Sequence, residues 1–469
     1  MPCCNTGVAK FVFDIIVMVT CIQAEFEMHF NGPRTSIDRD QLEKDIERLF
    51  SAAPLSPDSI RDYGLREKLY PGRASEVRQM MRAVRDPSKH ILIYGERGLG
   101  KTSLCNTFWQ NSSTVQNPIL AARIQVYPAD DFSSLWSRAL AELKATGAQI
   151  ASDFGLVTPD IIRREFLKLR KNQLSVIIVD EFDLLRDELA RELTVNLLKT
   201  LHDSRINVTV ILVGVAENIE ELIKNHQSLR RALSLVKLER MNIIDLNEIL
   251  ESRFRLISLP ISDEARSEIV SIACGLPYYV QTLARSAAHN ALERRRTEVV
   301  GEDVDAAMED FLVESGQSFA DDYEIATTSG QRSNIYHEII LASALAPGAA
   351  DGTFEPSGVV NALNFLVPTC TYHYSRVQQY LTQLISEKRG KFLSRHGVKG
   401  AYRYRFSDAL MQPFVIMRSI RNTMIDKRLR HRLFCFEKEK FRDAGDRIGR
   451  AESKAVQLGM IVPTAMSAD

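Results

Sequence analysis

Short apolar runs alternate with amphipathic stretches across the first half of the chain, and that alternation predicts its architecture. Residues 91–94 (ILIY), 119–127 (ILAARIQVY), 174–179 (LSVIIV) and 207–218 (NVTVILVGVAEN) read as strands. The continuous β-branched run before Asp180 suits a parallel strand buried on both faces. Helical spacing fills the gaps: 70–86 (YPGRASEVRQMMRAVRD), Phe132 to Leu143, 159–170, and Leu193 to His202. Strands and helices at this spacing predict a parallel, helix-covered sheet over residues 70–220. An N-terminal lead-in, residues 1–69, precedes it, polar from about residue 28 and with a helical stretch near Asp40 to Phe50.

From Ile219 the pattern turns helical, with periodic segments from about Ile243, at 273–295 and at 301–316; these predict a helical lid over residues 221–318. Residues 317–332 are polar and read as a linker. Helices follow from Asn334 to Ala346, Pro356 to Phe365 and Ser375 to Glu387, and then a hairpin, KFLSR–HGVKGA–YRYRFSD. Three helices and a two-stranded wing form the order of a winged helix, predicted over residues 330–417. Residues 418–469 read as a basic, helical tail. The expected fold is α/β: a phosphate-loop parallel sheet, a helical lid and a C-terminal winged-helix domain.

The turn after the first strand carries chemistry. GERGLGKTS, residues 95–103, contains Gly95, Gly100, Lys101 and Thr102 in the spacing G-x-x-x-x-G-K-[ST]. Glycines such as Gly98 and Gly100 let the backbone bend until successive N–H groups converge on a phosphate. Lys101 adds charge toward the outer phosphates, and the Thr102 hydroxyl suits Mg²⁺. A helix opening near Gly100 directs its positive end at the same anion. Residues 95–103, with Glu96, Arg97, Leu99 and Ser103 among them, form the expected nucleotide cradle. At the end of the 174–179 strand stand Asp180 and Glu181. Asp180 is placed to hold Mg²⁺ with Thr102, and Glu181 to orient or deprotonate the attacking water, with Asp183 as a weaker candidate. The expected cofactors are ATP and Mg²⁺, and the expected activity is ATP hydrolysis.

Composition narrows the class. The 469 residues are 45% hydrophobic and 26% charged, which suits a soluble protein of two or three domains. Seven cysteines, without metal-type spacing, point to reduced thiols. Residues 11–22 (FVFDIIVMVTCI) are too short to span a bilayer and contain Asp14; no membrane role and a cytoplasmic location are expected. Net charge is zero, yet residues 371–454 hold 20 Lys or Arg against 8 Asp or Glu, a local +12 balanced by −12 elsewhere. That asymmetry suits a nucleic-acid-binding appendage, or a basic face docked on the acidic part of the same chain.

With these motifs in place, the chain from about Tyr70 to Met417 resembles the AAA+ ATPases of the origin-recognition and replication-initiator group, and the related Gly-x-Pro signalling ATPases. The resemblance implies a core, lid and winged helix in that order. It implies that Arg73, in YPGRASE, lies near the adenine and that Pro277, in GLPYY, approaches the base. Arg230 or Arg231, in HQSLRRAL, resembles the arginine that acts on a neighbouring subunit's ATP. Glu217 and Asn218 compete for the sensor position, Asn218 being favoured for its amide donor. The initiator-type lid arginine is replaced by Tyr278, a departure that favours the Gly-x-Pro branch; Arg285 is a possible substitute.

Two functions follow. One is an ATP-dependent switch on double-stranded DNA, with Arg376, Gln378, Gln379 and Gln383 on the recognition helix and Arg395, Lys399, Arg403 and Arg405 on the wing. The other is a signal-responsive ATPase, of a defence or mobile-element kind, whose winged helix contacts protein. Either allows a homo-oligomer or a protein partner.

Overall fold

The computed structural model describes residues 39–50, 72–86, 89–112, 119–151, 155–169, 174–215, 229–314, 316–329, 334–368, 371–425 and 429–430. Residues 11–22, Glu217, Asn218 and the tail from 431 onward lie outside them. In chain order the first part comprises α1 (Arg39–Leu49), α2 (Ala74–Arg85), β1 (His90–Tyr94), α3 (Lys101–Ser112), β2 (Leu120–Gln125), α4 (Phe132–Ala145), α5 (Pro159–Leu167), β3 (Ser175–Asp180), α6 (Glu188–Asp203), β4 (Val208–Gly214), α7 (Leu229–Ala232) and β5 (Leu233–Lys237).

The five strands form one sheet in the order β2-β3-β4-β1-β5, and every pairing is parallel. β3 and β4 are buried along their whole length, as their unbroken apolar sequences require. Alternate side chains part to the two faces. Ile91, Ile93, Val176, Ile178, Ile211 and Val213 enter one core, whereas Leu92, Ile177, Val179, Val210 and Leu212 enter the other with α4 and α6. The carboxyl ends of β1 and β3, where ligands bind in open α/β sheets, carry the glycine loop and the two acids.

The helical layer is α8 (Ile243–Ile257), α9 (Asp263–Ile272), α10 (Pro277–Glu293) and α11 (Gly301–Glu314). Asn242 caps α8 by accepting the Asp245 N–H. Pro277 opens α10, where its missing N–H removes no helical bond. α1 closes this layer, with Phe50 and Phe254 at 5.0 Å between ring centroids.

The C-terminal part holds α12 (Gly316–Thr327), α13 (Tyr336–Leu345), α14 (Pro356–Leu366), α15 (Tyr374–Leu384), the antiparallel pair β6 (Leu393–His396) and β7 (Arg403–Phe406), and α16 (Met411–Arg421). Phe354 exchanges both backbone hydrogen bonds with Tyr404, adding a one-residue third strand. The first core runs without a break through the helical layer into this part, reaching Phe354, Leu363, Leu381, Tyr404 and Phe414. Each such side chain contributes about 1.5–3 kcal/mol on full burial.

Three expectations are corrected. The helical reading from Ile219 misses β5, whose five residues pair with β1 far away in sequence, Leu92 opposite Leu235. The expected linker 317–332 contains α12. Phe319, Tyr323 and Ala326 recur at helical spacing there, and the last two are fully buried. The basic tail expected from 418 begins inside a packed helix. Ser419 and Ile425 are buried, and Arg418, Arg421 and Arg430 pair with Glu324, Glu309 and Glu268. Among the described residues no helix is long and apolar enough to cross a membrane.

Candidate functional site

Lys101 and Thr102 open α3 directly after the glycine loop, so both face the carboxyl edge of the sheet. Gly98 and Gly100 both sit at φ +82, a backbone region that favours glycine. A Cβ on Gly98 would also lie 2.8 Å from Leu410 Cδ2 and 3.4 Å from Tyr278 Cβ, so the loop runs beneath both downstream layers. The Lys101 ammonium donates to the Gly95 and Glu96 carbonyls at 3.0 and 2.8 Å. Burial pushes its pKa below the ordinary lysine value, with Asp183 and Asp180 acting in the opposite sense.

Opposite it, Asp180 is buried at the end of β3. Its Oδ1 accepts the Thr102 hydroxyl at 3.2 Å and the Glu181 N–H at 3.0 Å, and its Oδ2 accepts Arg123 Nη2 at 3.0 Å. Glu181 takes a left-handed backbone, φ 56, and its carboxylate accepts Gln125 Nε2 at 2.6 Å. Asp183 accepts the Val215 N–H at 3.0 Å, tying the acidic turn to the end of β4. A cavity of about 390 Å³ lies between the glycine loop and these acids, and Met241, Ile249, Arg253, Pro277, Tyr278 and Gln281 line its far side. Hydroxyl and carboxylate oxygens side by side suit a hard divalent cation such as Mg²⁺, and a glycine-bent loop that opens a helix at a lysine suits phosphates. The residues present therefore fit both expected groups.

The C-terminal part reaches the glycine loop from outside. Glu96 and Arg240 form a buried ion pair, with Nε to Oε2 at 2.6 Å. Arg240 Nη1 also donates to Gln412 Oε1 at 2.5 Å and to the Cys274 carbonyl at 3.3 Å, and its backbone N–H donates to the Ala350 carbonyl at 2.8 Å. Gly352 passes so close that a Cβ there would stand 2.4 Å from Glu96 Oε1. The Tyr278 N–H donates to the Gly98 carbonyl, and the Tyr279 hydroxyl donates to the Leu410 carbonyl at 2.6 Å.

Of the residues expected at the site, Arg97, Gly98, Gly100, Lys101, Thr102, Ser103, Asp180, Glu181, Asp183 and Pro277 line the cavity. Gly95, Glu96 and Leu99 do not: Gly95 abuts Leu238, just past β5, Leu99 enters the first core, and Glu96 turns to Arg240 and Arg405. Arg73 is buried behind the loop instead of beside the cavity, donating to the Glu239 carbonyl at 2.8 Å and the Leu99 carbonyl at 3.5 Å. Arg285 pairs with Glu47 and is absent from the cavity wall. Arg230 and Arg231 are exposed on α7, at the amino end of β5 and so at the opposite edge of the sheet. Asn218 and Glu217 fall outside the described residues. Arg123, Gln125, Arg240 and Arg253 escaped sequence reasoning. The polar alternation of Arg123 and Gln125 in LAARIQ was the one available hint, since it marks a shared face of β2.

On the C-terminal part, Arg376, Gln379, Arg395 and Lys399 are exposed, with Arg395 stacked 4.4 Å over the Tyr402 ring. Three expected contacts are used internally. Arg403 binds Thr353 and Glu355, Arg405 Nε stands 3.8 Å from Glu96, and Gln383 accepts the Tyr336 hydroxyl.

A phosphate loop at the edge of an all-parallel sheet, with a strand-end carboxylate facing it, defines a P-loop nucleotide-binding core. Residues 84–223 match the family model described as AAA domain. Solved structures similar to the chain include the ORC1 protein of Aeropyrum pernix in complex with DNA: 16% identity over 80% of this chain and 97% of that one, TM-score 0.42. The Aeropyrum pernix ORC2 protein has 16% identity, covering 78% and 99%, with TM-score 0.45. The Cdc6p of Pyrobaculum aerophilum has 14% identity, covering 81% and 98%, with TM-score 0.44.

Proposed function

We propose that this chain is an AAA+ ATPase switch that binds and hydrolyses ATP with Mg²⁺ and associates with double-stranded DNA through a C-terminal winged helix. The observation that carries the switch is the Glu96–Arg240–Gln412 chain, which joins the phosphate loop to the C-terminal domain within one buried cluster. In this reading the domains are a lead-in (1–69), an ATPase core from 70 through β5, a helical lid, and a winged helix over α13 to β7.

The loop N–H groups and Lys101 hold the phosphates, while Thr102 and Asp180 hold the metal. Bound Mg²⁺ supplies charge neutralisation at the transferred phosphoryl group. Glu181 orients the attacking water and accepts its proton, once released from Gln125. Pro277, Tyr278 and Met241 cover the far end of the nucleotide, and Arg231 or Arg230 serves a neighbouring subunit. Arg376, Gln379, Arg395 and Lys399, all exposed, meet phosphates and base edges.

A second reading has the winged helix contacting protein, in a signal-responsive ATPase. The engagement of Arg403 and Arg405 by the chain's own Thr353, Glu355 and Glu96 favours it. ATP turnover of size-characterised protein, with and without duplex DNA, and DNA binding across a salt series separate the two. The DNA reading expects binding that falls steeply with salt and weakens in Arg376→Ala/Lys399→Ala. Absence of DNA binding at low salt, with nucleotide-dependent oligomer size, supports the protein reading instead.

A further inference from the structure

We propose that Arg123 is a positioning residue: it acts as the resident counter-ion of Asp180 and sets how much Mg²⁺ the site requires. The inference rests on the reading of Asp180 as the metal-holding carboxylate. Every oxygen of Asp180 is engaged. Oδ1 faces Thr102 and the Glu181 N–H, and Oδ2 is held by Arg123 Nη2 at 3.0 Å. The two partners differ in exposure, the Asp180 side chain at 5% and that of Arg123 at 41%. A buried carboxylate without a counter-charge is costly, so in the absence of metal the guanidinium stabilises it. A half-exposed guanidinium can swing into water at small cost, whereas Asp180 is fixed at the end of an interior strand.

The fold places Arg123 for this part. β2 is the edge strand, in register with β3 so that Gln125 stands opposite Asp180 and Arg123 opposite Ile178. Two positions apart, both side chains rise from the same face of β2 toward the acids. A divalent cation entering beside Thr102 meets a carboxylate already neutralised and a positive charge that repels it. Thr102 and Asp180 Oδ1 would hold the metal while Arg123 on Oδ2 opposes it by charge, so its hold on Asp180 would weaken as the site fills. The charge, more than the shape, makes the difference.

The test uses the full chain and a fluorescent ATP analogue, titrated with MgCl₂ after chelation, with melting temperature recorded in parallel. Arg123→Gln is expected to reach half-maximal binding at roughly five-fold lower Mg²⁺, the scale of a partly exposed ion pair. Its affinity at saturating Mg²⁺ should match wild type, while its metal-free affinity falls because Asp180 is left without its counter-charge, and Arg123→Lys should follow wild type within about two-fold. Arg123→Met, which removes the charge without leaving an amide, should repeat the Gln result. An unchanged or higher Mg²⁺ requirement in both neutral variants overturns the proposal. So does a loss of affinity at saturating Mg²⁺, which would mean that Arg123 touches the nucleotide. A wild-type chain whose analogue binding ignores Mg²⁺ would instead defeat the underlying reading of Asp180.

Discussion

Replacing Arg240 by methionine keeps much of the side chain's volume and removes every donor. Four side-chain hydrogen bonds disappear: two to Glu96 (2.6 and 3.4 Å), one to Gln412 (2.5 Å) and one to the Cys274 carbonyl (3.3 Å). The Arg240 and Glu96 side chains are only 9% and 8% exposed, so Glu96 is left in a dry site. Breaking a buried pair from one side costs about 3–5 kcal/mol. Arg405, 3.8 Å from Glu96, remains as a partial counter-ion and places the cost near the lower end, about 3 kcal/mol. That energy belongs to the docking of the C-terminal part. The backbone N–H of residue 240, which bonds to the Ala350 carbonyl across the contact, reports on it by hydrogen exchange. Its protection should fall about 100-fold in Arg240→Met. The Glu96→Gln/Arg240→Met double variant should cost less than the sum of the singles by about 1 kcal/mol or more. Unchanged protection would refute the claim that Arg240 holds the parts together, and additivity within about 0.5 kcal/mol the claim that Glu96 and Arg240 act as a coupled pair.

Other outcomes follow from the same structure. Glu181→Gln should retain ATP binding while turnover falls by about 100-fold or more, measured by phosphate release under saturating nucleotide. His90 is wholly buried, with Nε2 at 3.0 Å from the Leu198 carbonyl and Nδ1 accepting the Val210 N–H at 3.2 Å. Burial pushes its pKa down from 6.5 to about 4. The unfolded chain then binds a proton between those values and the folded chain does not, so stability is full above pH 6.5 and declines as pH falls toward 4, by about 3 kcal/mol in total. Denaturation across that range should show the slope in wild type and lose part of it in His90→Gln. Cys105 is buried and its thiol is pushed well up, so an alkylating reagent should modify it only after unfolding, read by mass spectrometry under native and denaturing conditions.

What the sequence disclosed was local. The apolar runs of β1, β3 and β4 announce strands because both their faces are buried, and GERGLGKTS announces a turn because its glycines need a special backbone. Contacts distant in sequence were invisible. β5 is a strand by virtue of β1, and α12 hides its buried Tyr323 and Ala326 among polar neighbours. Arg73 resembled an adenine neighbour by motif position, yet its guanidinium is held by the Glu76 carboxylate and two backbone carbonyls. The basic C-terminal third left open a nucleic-acid-binding appendage or a basic face docked on the acidic part of the same chain, and charge counting could not say which residues dock: Arg405 faces Glu96, and Arg430 meets Glu268 and Asp305. Arg123 and Gln125 looked like ordinary outward residues of a strand; only the β2–β3 register brings them to the acids.

The central claim is that a nucleoside triphosphate binds between Lys101 and Asp180. Calorimetric titration of ATP with Mg²⁺ into the wild-type chain and into Lys101→Ala tests it most directly. The account predicts a single site in wild type and an affinity at least about thirty-fold weaker in the variant, the cost of one charge-assisted contact. Equal affinity in the two proteins, or no heat in either, would contradict it.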